Sequence, residues 1–189
     1  MYKRQGDYRI VDQNGDGVID LQDRTIIGNP NPDFVYGINL ELSYKNLSLR
    51  VLANGVYGND IANGNLLQLA TPEGISWSNI TTAAYNNAWR PERTSNSYPR
   101  IGYTTNGQIA MPDWIIEDGS FLRISNINLS YQFDRINIYL SAQNLFTFTG
   151  YSGYNPEVTS FLYDGLRNGV DWNGQPSARK FTIGLNFNL

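Results

Sequence analysis

Phe181, Ile183, Leu185, Phe187 and Leu189 alternate with Thr182, Gly184, Asn186 and Asn188, a period of two held over nine residues. Such a period predicts a strand with one apolar face. The same design recurs upstream. Phe34, Tyr36, Ile38, Leu40, Leu42 and Tyr44 alternate with Val35, Gly37, Asn39, Glu41 and Ser43. After Lys45-Asn46, the residues Leu47, Leu49, Val51 and Ala53 alternate with Ser48, Arg50, Leu52 and Asn54, which makes a long hairpin on a two-residue turn. A second hairpin turns at Asp134-Arg135, with Ile127, Leu129, Tyr131 and Phe133 on one face and Ile136, Ile138, Leu140 and Ala142 returning. Leu122 and Ile124 are out of phase with Ile127, so a bulge is expected near Ser125-Asn126. Tyr139 falls on the polar side of its strand.

The pattern predicts an all-β, antiparallel chain with strands at about 34 to 44, 47 to 58, 120 to 133, 136 to 148 and 178 to 189. Connections alternate in length, very short at 45 to 46 and 134 to 135, very long at 59 to 119 and 149 to 177. Short turns at one end and long loops at the other are the arrangement of outer-membrane barrels. Tyr44, Tyr131 and Phe133 near the short turns, and Phe146 and Phe148 near the long loops, stand where two aromatic girdles would lie. The alternative is a soluble, calcium-stabilised β-sandwich that binds carbohydrate, its apolar faces packed together and its polar faces wet. Against it stands the scarcity of Lys and Glu on the polar faces, where a solvated sheet carries them.

Composition sharpens this picture. Charged residues make up 16% of the 189 positions, against ~25% in soluble globular domains. Thirteen Tyr, eight Phe and four Trp suit a pleated surface. A net charge of −3 with no basic stripe excludes nucleic acid as a partner. Cysteine and histidine are both absent, which removes thiolate nucleophiles, Ser-His-Asp triads and ordinary zinc sites. The first seven residues hold no apolar segment of a signal peptide, and no run approaches the ~18 apolar residues of a membrane helix, whereas barrel strands need no such run.

One stretch has its own chemistry. In VDQNGDGVIDLQD, the oxygens of Asp12, Asn14, Asp16 and Asp20, the Val18 carbonyl and Asp23 in twelfth position follow the ladder of a calcium loop, with Gly17 at the sharp turn. Asp23 stands where the longer Glu chelates with both oxygens, so affinity is expected to be modest and the role structural. The competing reading is a metal-free turn held by side-chain hydrogen bonds. Glu117, Asp118, Glu73 and Glu92 can be nominated as a glycosidase pair, but such carboxylates must face each other across a cleft, and Glu117 to Ser120 reads more simply as the turn that starts a strand. The chain is therefore not expected to be an enzyme.

In order along the chain, GDYRIVDQNGDGVID, RTIIGNPNPDFVYG, VYGNDI, AWRPERTS with YPR, IEDGSFLRISNINLSY, YLSAQNLFTFTGYSGYNPEV and ARKFTIGLNFNL together resemble the C-terminal part of the SusC/RagA family of TonB-linked outer-membrane transporters of Bacteroidetes. The resemblance covers essentially the whole chain. It implies one portion of a large transmembrane β-barrel of about 22 strands with long extracellular loops, residues 1 to 33 being such a loop and 34 to 189 barrel strands. It further implies import of oligosaccharides or peptides across the outer membrane of a Gram-negative cell, driven by TonB through a plug-bearing part absent here, beneath a SusD-like lid lipoprotein. Tyr151, Tyr154, Tyr163 and Trp172 are the expected contacts to substrate or lid, since aromatic faces stack on sugars and anchor interfaces, although they could equally pack loop on loop. Thr182, Gly184, Phe187 and Leu189 fit the terminal signal for barrel assembly, from which Leu189 departs because the family commonly closes on an aromatic residue. Five strands leave two open edges, which lipid does not tolerate, so the chain is expected to be a piece of a longer or split transporter, or else to misfold or associate by its edges.

Overall fold

The computed structural model describes residues 5–70, 79–95, 97–102, 111–158 and 168–187. Five long strands form one antiparallel sheet: β1 (Phe34–Tyr44), β2 (Leu47–Tyr57), β5 (Phe121–Phe133), β6 (Ile136–Thr149) and β8 (Lys180–Phe187), in the spatial order β1-β2-β5-β6-β8. Each strand pairs with the next long strand of the chain, as in an up-and-down wall. Lys45 and Asp134 open the two-residue turns with φ of 53° and 47°. The adjoining turns are tied together, since Asn46 Nδ2 donates to the Gln132 carbonyl at 2.8 Å and Gln132 N donates back to the Asn46 carbonyl at 2.8 Å.

Register places apolar opposite apolar across the whole wall. Leu40 lies opposite Val51, Val51 opposite Ile127, Ile127 opposite Ala142 and Ala142 opposite Phe181. One turn-ward row runs Leu42, Leu49, Leu129, Leu140 and Ile183. Partners in a ladder share a face, so one side of the sheet is a continuous apolar surface. The alternate rows, such as Glu41-Arg50-Asn128-Ser141-Thr182, line the other side. Eleven residues in β1 rise about 34 Å, which at a barrel tilt of ~40° spans the ~25 Å apolar band of an outer-membrane wall. Tyr44, Tyr131, Phe133 and Phe187 edge this band at the turns; Phe34, Tyr57, Phe146 and Phe148 edge it at the loops, where Phe34 stacks on Tyr57 with centroids 5.1 Å apart.

The apolar face is uncovered: Leu40, Leu140 and Ile183 remain 46%, 51% and 76% exposed. Among the described residues no second sheet lies against it, so the sandwich alternative is not the arrangement found. Burial is concentrated beyond the loop ends of the strands. Ile61, Ile115 and Asp171 are fully enclosed there, with Ala62, Asn63, Ala84, Ala88 and Tyr151 beside them.

The predicted bulge is present. Leu52 pairs with Asn126 but Ala53 pairs with Ile124, which leaves Ser125 extra and returns Leu122 and Ile124 to the apolar face. Tyr139 has room on the polar face because its partner is Gly184, where a Cβ would run into the Tyr139 ring. The long connections are not featureless, as alternation alone suggested. They carry a small sheet, β3 (Asp60–Asn63) between antiparallel β4 (Ile116–Asp118) and parallel β7 (Val170–Asp171), and helices α1 (Gly64–Ala70) and α2 (Thr82–Asn87). Short helices with Ala on the inner face and no regular apolar period leave little signal in sequence.

Candidate functional site

The loops of the wall fold into a cap, and polar side chains hold it. Asn63 Nδ2 donates to Glu117 Oε1 at 2.8 Å, while its Oδ1 accepts from Leu66 N at 3.0 Å at the start of α1. Glu117 also accepts from Ser152 N and Ser152 Oγ, each at 2.7 Å, so one carboxylate joins β3, β4 and the loop after β6. Glu117 thus acts as a tether between three segments of the cap. Gly119 allows this junction, since a Cβ would meet Ile61 Cγ1 at 2.7 Å. The Tyr151 hydroxyl donates to Asp171 Oδ2 at 2.6 Å, and Asp171 Oδ1 accepts from Gly174 N at 3.0 Å. Burial, and then the Asp171 carboxylate, push the Tyr151 hydroxyl far up, so it is a permanent donor.

A second tether descends to the polar face of the wall. Arg123, 4% exposed, donates through Nε to Thr147 Oγ1 at 3.0 Å, through Nη2 to Asn155 Oδ1 at 2.6 Å and through Nη1 to Glu157 Oε2. Asn155 Nδ2 donates on to Ser177 Oγ at 3.1 Å, ahead of β8. The segment 150–158 is thereby clamped over the loop end of the polar face. The N-terminal segment joins the cap as well: Asp7 pairs with Arg100 at 2.7 Å, Tyr8 stacks on Trp114 at 5.7 Å, and Asp60 Oδ2 accepts from Asn29 N at 2.7 Å.

The expected aromatic contacts separate. Tyr151 is 5% exposed and serves the interior of the cap, the loop-on-loop role and not an outward surface. Tyr154 is 78% and Trp172 45% exposed, the latter lying over Gly64. Tyr163 and Leu189 lie outside the described residues, as does Glu73. Of the assembly residues, Thr182 and Gly184 face the polar side and Phe187 the apolar side opposite Ile136. Sequence reading missed Asn63, Glu117 as tether, Arg123, Asn155, Glu157 and Asp171. Only Arg123 carried a signal, as a charge inside an otherwise uncharged strand.

In the acidic loop, the side-chain oxygens turn onto the loop's own amides. Asp12 accepts from Gly15 N at 2.7 Å and Gly17 N at 2.8 Å, Asn14 from Asp16 N at 3.0 Å, Asp16 from Val18 N at 2.7 Å and Asp20 from Gln22 N at 2.7 Å. Asp23 closes the ring by accepting from Asp20 N and Gln13 N, each at 2.8 Å. Gly17 takes the sharp turn with φ of 82°. The donor types fit a hard cation, yet among the described residues no three acidic side chains gather as a metal cluster. The amides of Asp20 and Gln13 hold the Asp23 carboxyl below the usual carboxylate range.

Comparison with known proteins agrees with this architecture, although no protein-family model matches the chain. It is 33% identical over 190 residues to TonB-dependent receptor P3 of Formosa agariphila, an alignment covering 93% of this chain and 18% of that protein. It is 32% identical over 190 residues to TonB-dependent receptor SusC of Bacteroides thetaiotaomicron, covering 93% of this chain and 17% of that protein. The chain therefore spans under a fifth of the length of these relatives. In three dimensions it matches the RagAB peptide importer in its closed-closed state with a TM-score of 0.70, at 24% identity over 85% of this chain and 18% of that one, a likeness of fold. Wall, cap and relatives agree, and the chain is a β-barrel segment of the SusC/RagA family of TonB-linked outer-membrane transporters.

Proposed function

We propose that the chain forms a stretch of wall and the overlying extracellular cap of an importer in the outer membrane of a Gram-negative bacterium. The observation that carries this reading is the uncovered apolar face running unbroken across five strands, backed by a polar face. Water does not tolerate so large an apolar surface, whereas hydrocarbon does. The short turns then face the periplasm and the cap faces outward. Oligosaccharides or peptides are the cargo class, TonB supplies the drive through parts of the transporter not present in this chain, and a SusD-like lipoprotein closes over the cap. The SusC relative and the fold shared with a peptide importer support these assignments. Tyr154 and Trp172 are the exposed aromatics through which the cap would meet cargo or lid.

This chain has no cysteine of its own, so a thiol introduced into it can be followed by mapping its peptides. Leu140→Cys and Ser141→Cys place single thiols on adjacent residues of β6, one on each face. In intact outer membranes a small charged thiol reagent is expected to label position 141 and spare position 140 until the protein is unfolded. Equal labelling of both positions in the membrane would sink the reading.

For the loop from Asp12 to Asp23 we propose calcium as a structural ligand, held by Asp12, Asn14, Asp16, Asp20, Asp23 and the Val18 carbonyl. The alternating oxygens and the Gly17 turn support it. Because the folded Asp23 carboxyl lies below its unfolded value, its contribution is present above the unfolded value and lost as pH falls through the folded one. Hydrogen exchange at the Gln13 and Asp20 amides should therefore accelerate only below the ordinary carboxylate range. Calcium should slow both amides at neutral pH, and identical exchange in calcium and in chelator would overturn the ion's role.

A further inference from the structure

The turn Arg90-Pro91-Glu92-Arg93 sets two arginines opposite each other. Arg90 N donates to the Arg93 carbonyl and Arg93 N to the Arg90 carbonyl, both at 3.0 Å. The two residues thus form a hydrogen-bonded antiparallel pair, and their side chains leave from the same face. Like charges directly opposite destabilise such a pair. Among the described residues no carboxylate offsets them. Arg50, Arg100 and Arg123 each have a carboxylate partner, whereas Arg90 and Arg93 have none, and Glu92 in the same turn is out of ion-pair reach of both.

The pair is nonetheless held in place. The Arg90 guanidinium lies 4.7 Å from the centroid of the Tyr85 ring, and its Nε is shielded from solvent without a hydrogen-bond partner. Hydrogen bonding and charge from Arg90, with the charge of Arg93 added, lower the Tyr85 hydroxyl, so both cations act on one point. Tyr85 and Arg93 are exposed, which leaves the face open. In a chain of net charge −3, an uncompensated cationic pair on the cap is a local reversal of sign.

We infer that Arg90 and Arg93 form an oxyanion site that receives one carboxylate, sulfate or phosphate group between two guanidinium forks. A bound oxyanion would cancel the repulsion across the turn, drawn by the planar, multiply donating geometry that guanidinium offers. The oxyanion arrives either as an acidic substituent of the cargo, which rests on the import reading above, or as a lipid headgroup at the outer leaflet.

The protein extracted in neutral detergent is titrated with sodium sulfate against sodium chloride at equal ionic strength, reading the part of the tryptophan emission that Trp89→Phe removes. A saturable response to sulfate is expected, weakened about tenfold or more in Arg93→Gln, less in Arg93→Lys, and unchanged in Arg50→Gln, which removes a charge from the wall. Arg93 is exposed and its backbone pairing does not depend on its side chain, so this variant keeps the fold. Competition by sodium glucuronate but not glucose assigns the oxyanion to cargo; competition by phosphatidylglycerol but not phosphatidylcholine in mixed micelles assigns it to lipid. A sulfate response no larger than that of chloride, or equal in Arg93→Gln, overturns the site. The import reading stands or falls separately, on the labelling of positions 140 and 141.

Discussion

Ile127→Arg is expected to destabilise the membrane-embedded wall by about 2–4 kcal/mol, while Asn128→Arg, one residue away, costs no more than about 1 kcal/mol. Ile127 lies mid-strand between Val51 and Ala142 on the apolar face, where a guanidinium would enter hydrocarbon. Asn128 lies between Arg50 and Ser141 on the polar face, where a new arginine meets water and only the like charge of Arg50 opposes it. Urea unfolding in lipid vesicles reads both. Comparable losses at the two positions would mean that the faces of the sheet have been assigned to the wrong sides.

The second large effect belongs to the clamp on the polar face. The Arg123 side chain is 5% exposed and that of its partner Glu157 is 41% exposed, so the two ends of the ion pair are not equivalent. Glu157→Ala leaves an enclosed guanidinium with only Thr147 and Asn155 as acceptors. The loss is expected at about 2–3 kcal/mol, below the 3–5 kcal/mol of a fully buried pair because solvent already screens the carboxylate. Arg123→Met frees Glu157 to return to water and should cost less. Adding it to Glu157→Ala should recover part of the loss, since the unpaired charge is then gone. Hydrogen exchange at the Glu157 and Val158 amides reports on the clamp without unfolding the wall. If Glu157→Ala leaves their exchange unchanged, the segment is held by something other than this pair.

The wall was legible in sequence because a strand with one wet face writes its own period. β1 has the bounds that alternation predicts, and β2, β5, β6 and β8 differ by one or two residues at an end among the described positions. The cap was not legible, for a physical reason. It is held by side chains far apart in sequence, Asn63 with Glu117, Glu117 with Ser152, Tyr151 with Asp171, and no local period announces such pairs. Tyr151 illustrates the limit. As an aromatic in a loop it is indistinguishable from Tyr154, yet one is enclosed and the other open.

The bulge shows how much of a irregularity parity can reveal. Between the pairs Leu52-Asn126-Gln143 and Ala53-Ile124-Phe146 the chain advances one residue in β2, two in β5 and three in β6. One additional residue in β5 inverts the parity of its apolar positions, which is why Leu122 and Ile124 fell out of step with Ile127. Two additional residues in β6 restore parity, so Ala142 and Phe146 remain in step and the larger irregularity at Asn144, where φ is 52°, leaves no trace in the pattern.

Each added residue lengthens one strand by ~3.3 Å with no matching length in its neighbour toward β1. Three adjacent strands of graded length cannot lie flat, and the wall must coil and shear at that level, as bulged sheets do. Ser125 and Asn144 therefore act as the keystones of an arch, setting the local radius of the wall at the height where the cap rests on it. Deleting Ser125 would do more than shift a register: it would turn Arg123, with the loop clamped to it, outward into the bilayer.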